Sequence, residues 1–91
     1  MTLAYKIVFR TSASKAFLAL DPAVRKRVGK VIDRLAESPR SAQAVMLAAM
    51  DMTIWRVRAG AWRILYEIDD DRLVVLVLDV GHRSDVYRKR R

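Results

Sequence analysis

The side chains with the most to offer chemically lie between Ile54 and Tyr87, and most of them are arginines. Gly60 suits the first central position of a two-residue type II′ turn, and a turn at Gly60-Ala61 sets Ala59 opposite Trp62 and Arg58 opposite Arg63. Counting outward, one face of that hairpin collects Trp55, Val57, Ala59, Trp62, Ile64, Tyr66 and Ile68. The other collects Ile54, Arg56, Arg58, Arg63, Leu65 and Glu67. Three guanidinium groups thus converge on one patch, with Glu67 as a diagonal counter-charge. Directly opposed like charges destabilise a hairpin, so the patch makes physical sense as the receptor of an anion. Planar forks of donors on a rigid sheet are suited to a phosphodiester, which they can grip two oxygens at a time. Further along, Gly81 permits a turn after the last predicted strand. His82, Arg83 and Tyr87 then add an imidazole, a guanidinium and a phenol beside the same patch if that strand neighbours the hairpin. Of these, the imidazole titrates in the range that acid–base work near neutral pH requires. The closing run from Arg88 and Lys89 to Arg91 reads as a basic tail, residues 88–91, adding unspecific phosphate attraction.

The elements that must hold these groups are legible from periodicity. Ala4 to Phe9 alternates, with Tyr5, Ile7 and Phe9 on one side, and predicts a half-buried strand. Thr11 to Ser14 offers capping residues before a short helix through Leu20. Asp21 then serves as a new N-cap and Pro22 as the first residue of a longer helix. Val24, Val28, Val31, Ile32 and Leu35 give that helix one apolar stripe, Arg25, Lys26, Arg27, Lys30 and Arg34 occupy its other faces, and Pro39 stops it near Ser38. Ala42 to Met52 has no clear period and reads as a connector. Strands follow at Thr53–Ala59, Trp62–Ile68 and Leu73–Val80, the last without polar alternation and so expected to be central and covered on both sides. The order β-α-α-β-β-β predicts an α+β fold: a small, mostly antiparallel sheet with a two-helix hairpin packed on one face.

At 91 residues the chain is expected to form a single domain, residues 1–91. Lys and Arg number 18 against 10 Asp and Glu, for a net charge of +8 at 53% hydrophobic content. That is a folded basic protein whose natural partners are nucleic acid or an acidic protein. With no cysteine and one histidine, a disulfide framework, a zinc knuckle, an iron–sulfur site and a cysteine nucleophile are excluded. Neither a metal nor another cofactor is expected. Lys6 and Arg10 interrupt any secretory leader, and no apolar run is long enough to enter a membrane, so a cytoplasmic location is expected.

Trp55-Arg-Val-Arg58, Ala61-Trp-Arg-Ile-Leu-Tyr-Glu-Ile68, the acidic turn at Asp69–Asp71, the hydrophobic strand and Val80-Gly-His-Arg-Ser-Asp-Val-Tyr87, in this order after a helical hairpin, resemble the RelE/ParE toxin superfamily of type II toxin–antitoxin modules, in its RelE-like branch. The resemblance spans almost the whole chain. It implies a toxin that enters the ribosome and cuts messenger RNA without a metal, the 2′-hydroxyl of one nucleotide attacking the adjacent phosphate. By position, Arg56 and Arg58 match the family's paired basic residues that hold or activate the substrate. Arginine is too basic to serve readily as a general base, which leaves these two an electrostatic role. Arg63 and Arg83 match phosphate contacts that stabilise the transition state, Tyr87 matches a terminal tyrosine credited with proton transfer or base stacking, and His82 becomes a candidate to protonate the leaving 5′-oxygen. An antitoxin with an acidic, amphipathic segment is the implied protein partner. The apolar stretch Met46-Leu-Ala-Ala-Met50, where many relatives are lysine-rich, would either weaken ribosome contacts or pack that partner. Two other readings stand beside this one: the ParE-like branch, which poisons DNA gyrase, and a basic module that binds ribosomal RNA without cutting it.

Overall fold

Alternation, capping geometry and one glycine turn account for most of the architecture. In the computed structural model, which describes residues 4–41, 43–49 and 52–82, β1 (Lys6–Phe9) turns Ile7 and Phe9 toward the core and leaves Lys6 exposed. The helix α1 (Thr11–Leu18) begins earlier than its sequence suggests. Arg10 takes the extended N-cap position, no side chain caps the end, and Thr11–Ser14 form the first turn of the helix itself. The second helix, α2 (Pro22–Leu35), starts as expected, with Pro22 in its first turn and Asp21 at the N-cap, although the Asp21 side chain makes no capping bond. Val28, Ile32 and Leu35 are buried along its stripe. Helical geometry ends at Leu35, ahead of Ser38, and Pro39 is held in place by the buried Tyr66 hydroxyl, which donates to its carbonyl at 2.6 Å.

Part of the predicted connector is a strand, β2 (Val45–Ala49), which corrects the element order to β-α-α-β-β-β-β. It lies at the sheet edge, paired antiparallel with β3 (Met52–Ala59) from Val45↔Arg56 to Ala49↔Met52. An edge strand has one neighbour and need not alternate to bury a face; here Val45 and Met46 stay 43% and 59% exposed. Pairing with β3, and no pattern of its own, defines this strand.

The sheet is completed by β4 (Trp62–Asp69) and β5 (Val74–His82), in the order β1-β5-β4-β3-β2. Neighbours are antiparallel except β1 and β5, which run parallel with Lys6 opposite Val74. Both helices cover one face, α1 over β5 and α2 over β3, and the main core lies between the layers. The fold is α+β, as the sequence indicates. β5 is interior, yet the described helices cover it from one side; on the other, Leu78 packs with Ile54 and Leu65, flanked by Leu47 and Leu76.

A bulge in the β4–β5 ladder sets the direction of everything after it. Tyr66 faces Val77 and Leu65 faces Asp79, which leaves Leu78 as the extra residue. One inserted residue reverses the facing of each later side chain. Val77 and Val80 therefore both reach the helix-side core, where strict alternation would have separated them.

Candidate nucleic-acid interface

The hairpin that presents the arginines has the expected register. Gly60 takes φ +65° while Ala61 keeps a negative φ, as a type II′ turn requires, and the pairs Ala59↔Trp62, Arg58↔Arg63, Val57↔Ile64, Arg56↔Leu65 and Trp55↔Tyr66 follow. Val57, Ala59, Ile64 and Tyr66 are buried beneath the helices, and this fixes the opposite facing of Arg56, Arg58 and Arg63. The arginines thus occupy the sheet face that carries no described helix. Arg58 is exposed, while Arg56 and Arg63 are half-buried.

Two rows cross that face. In one, Arg58 stands opposite Arg63 and Arg63 opposite Gly81. Gly81, which is buried, contributes no side chain to that row. In the other row Arg56 faces Leu65 and Leu65 faces Asp79. A groove of about 370 Å³ runs along the outer flank, lined by Gln43, Val45, Arg56 and Arg58. Cations gathered on one face, on a backbone fixed by ladder hydrogen bonds, can bind a phosphodiester and stabilise the charge that develops on it during transfer.

The structure separates His82 from this group. β5 continues through Gly81 to His82, with no turn at Gly81, and the bulge places His82 opposite Trp62 on the helix-side face. The imidazole and indole rings meet edge to face at 5.5 Å between centroids. Without the extra residue at Leu78, alternation would have put His82 among the arginines and Asp79 in the core. Asp79 is therefore the residue of this face that sequence reasoning missed. The sequence offers one faint signal for it, an acid within an otherwise apolar strand. Arg83, Tyr87, Arg88 and Lys89, and with them the basic tail, lie outside the described residues. No group of acidic and histidine side chains suited to a metal occurs among the described residues.

One end of the sheet is clamped by a polar cluster away from the arginine rows. Arg40 donates to both carboxylate oxygens of Asp70, at 3.1 and 2.7 Å, and the Tyr5 hydroxyl donates to Asp70 Oδ1 at 2.7 Å. The guanidinium of Arg40 also lies 5.7 Å from the Trp55 ring centre. Arg40 first, and Tyr5 second, hold the Asp70 carboxyl at about 2, below its ordinary value. The cluster joins the segment after α2 to the β4–β5 turn and to β3 at Trp55, the neighbour of Arg56.

A five-stranded mixed sheet with one helix-covered face and one arginine-bearing face is the architecture of a known toxin class. The profile of the family described as "ParE toxin of type II toxin-antitoxin system, parDE" matches residues 7–87, and the chain belongs to that family. Among its relatives, the mRNA interferase toxin RelE of Escherichia coli strain K12 is 31% identical over 87 residues, covering 93% of this chain and 92% of its own. Toxin RelG of Mycobacterium tuberculosis is 30% identical over 86 residues, covering 93% and 98%. The toxin-antitoxin complex RelBE2 from Mycobacterium tuberculosis contains a chain of the same fold, with a TM-score of 0.80 at 27% identity, covering 92% of this chain and 97% of that one. None of the described helices is long and apolar enough to cross a membrane.

Proposed function

We propose that the chain is a RelE-type toxin that cuts messenger RNA on the ribosome. The observation that carries this reading is the placement of Arg56, Arg58 and Arg63 together on the sheet face without a described helix. In the reaction the 2′-hydroxyl oxygen bonds to the adjacent phosphorus as its proton leaves. The bond from phosphorus to the 5′-oxygen then breaks, and that oxygen takes up a proton. The products are a 2′,3′-cyclic phosphate and a 5′-hydroxyl end. Arg63, with Arg83, stabilises the extra negative charge on the five-coordinate phosphorus, and Arg56 and Arg58 hold the flanking backbone. Tyr87 serves proton transfer or stacks on a base, and Arg88 and Lys89 add backbone attraction. His82, packed on Trp62 across the sheet, has no part in the chemistry. The net charge of +8 favours an antitoxin partner with an acidic, amphipathic segment, and action on ribosomes requires the cytoplasm.

The test is a cell-free translation reaction with a defined message, with and without ribosomes, in which new 5′ ends are mapped by primer extension. Cuts should appear with ribosomes alone, fall by about 10²–10³-fold in Arg63→Ala and persist in His82→Gln. An intact message would defeat the reading and favour gyrase poisoning, which a supercoiling assay would then measure.

A further inference from the structure

The second cationic surface of the molecule lies on the helix layer. Four exposed residues of α2, Lys26, Arg27, Lys30 and Arg34, form one stripe and line a shallow groove of about 460 Å³ with Ala23 and Val31. A fifth cation, Arg25, is committed elsewhere: its guanidinium donates to the Leu18 carbonyl at the end of α1. The helix contains one acid, Asp33, and none in its first turn. The ion pairs Arg40–Asp70 and Arg72–Asp69 lie elsewhere and involve none of the stripe.

This pattern does not serve the helix. Lys26 and Lys30, Lys30 and Arg34, and Arg27 and Lys30 are like-charge neighbours at four- and three-residue spacing, each mildly destabilising. The stripe reaches the end of the arginine hairpin. A Cβ on Gly60 would come within 3.2 Å of Arg27 Nη1, so the Arg27 guanidinium rests against the turn whose flanking strands carry Arg58 and Arg63.

We infer that the α2 stripe is a second RNA-binding surface, which takes ribosomal RNA backbone while the sheet face takes the message. The inference rests on the ribosome-directed reading above. Two features select a phosphate backbone over an acidic protein. Lys26, Lys30 and Arg34 recur every four residues, about 6 Å along the axis, a spacing comparable to that of successive phosphates on a strand. The groove also lacks the aromatic or large apolar anchors on which protein interfaces depend, since its apolar residues are Ala23 and Val31.

The full-length protein carrying Lys26→Gln, Lys30→Gln and Arg34→Gln together tests this, because glutamine keeps helix propensity and the exchange relieves repulsion. Affinity for purified 70S ribosomes is measured across a salt series, alongside cleavage at saturating ribosomes and binding to poly-glutamate as an acidic-protein probe. The expected result is at least a tenfold weaker Kd, a log–log salt slope reduced by about 2–3, and unchanged cleavage once ribosomes saturate. An unchanged Kd and slope overturn the inference. So does a wild type that prefers poly-glutamate to ribosomes and loses that preference in the variant. If the wild type binds ribosomes without cutting, the nuclease reading fails and the stripe is still judged by Kd and slope. If it binds no ribosomes, both fail.

Discussion

Replacing Arg58 with Gln should make the protein more stable and poorer at binding RNA, two effects of opposite sign from one charge. Arg58 is exposed and stands directly opposite Arg63, with Cβ atoms about 5 Å apart by the geometry of such pairs. A like-charge pair in that position costs from about 0.2 to 1 kcal/mol. Glutamine keeps most of the stem and a hydrogen-bonding head, so the exchange chiefly removes the repulsion. For 91 residues the unfolding entropy is about 0.19 kcal/mol per kelvin. The expected rise in Tm is therefore about 1–5 °C at low salt. Near 1 M salt, where the screening length is about 3 Å, most of the gain should vanish. The same variant, titrated with an unstructured RNA, should lose about 0.7 from the slope of log affinity against log salt, the share of one phosphate contact on a single strand. Calorimetry at two salt concentrations and a binding series are sufficient. A lower Tm at low salt, a gain that survives at high salt, or an unaltered slope would each refute the assignment of Arg58 to an anion-receiving row.

Tyr66→Phe removes the buried donor to the Pro39 carbonyl and should cost about 1–2 kcal/mol, seen as a Tm lower by about 5–10 °C in thermal denaturation. Burial also pushes the Tyr66 hydroxyl up to about 12, so the wild type should lose stability as pH rises from its ordinary value of 10.0 through that point, and the Phe variant should not show this limb. Asp70 works in the other direction. Its carboxyl is depressed to about 2, so its contribution is complete above its ordinary value of 3.8 and fades as pH falls through 2. A Tm-versus-pH profile of Asp70→Asn should lack that acid limb.

The parts of the fold legible in the sequence are those set by local rules. Gly60 dictated the hairpin turn, and the apolar face from Trp55 to Ile68 fixed which way Arg56, Arg58 and Arg63 point, because a register error would have buried all three. The stripe of α2 was equally plain. What escaped was governed by partners distant in sequence. β2 has no period of its own and exists as a strand because β3 offers its edge. The helix start at Thr11 gave no sign because no side-chain cap marks it. The uniform run from Leu73 to Leu78 concealed the bulge, since inserting a residue into a segment without polar alternation leaves no trace in the pattern. That concealed residue decided the candidate site: it moved His82 to the Trp62 side and brought Asp79 to the arginine side.

The parallel pairing of β1 with β5 also governs when the molecule can come into being. Lys6, near the start of the chain, finds its ladder partner in Val74, near the end, and β5 fills the space between β1 and β4. While a ribosome is still making the chain, β2, β3 and β4 can pair and receive α2, but β1 and α1, which pack on β5, have no partner until that strand emerges. Contacts so distant in sequence form late and slowly. A nascent copy therefore lacks its finished sheet, and with it the β4–β5 pairing that flanks the arginine hairpin, until β5 has been made.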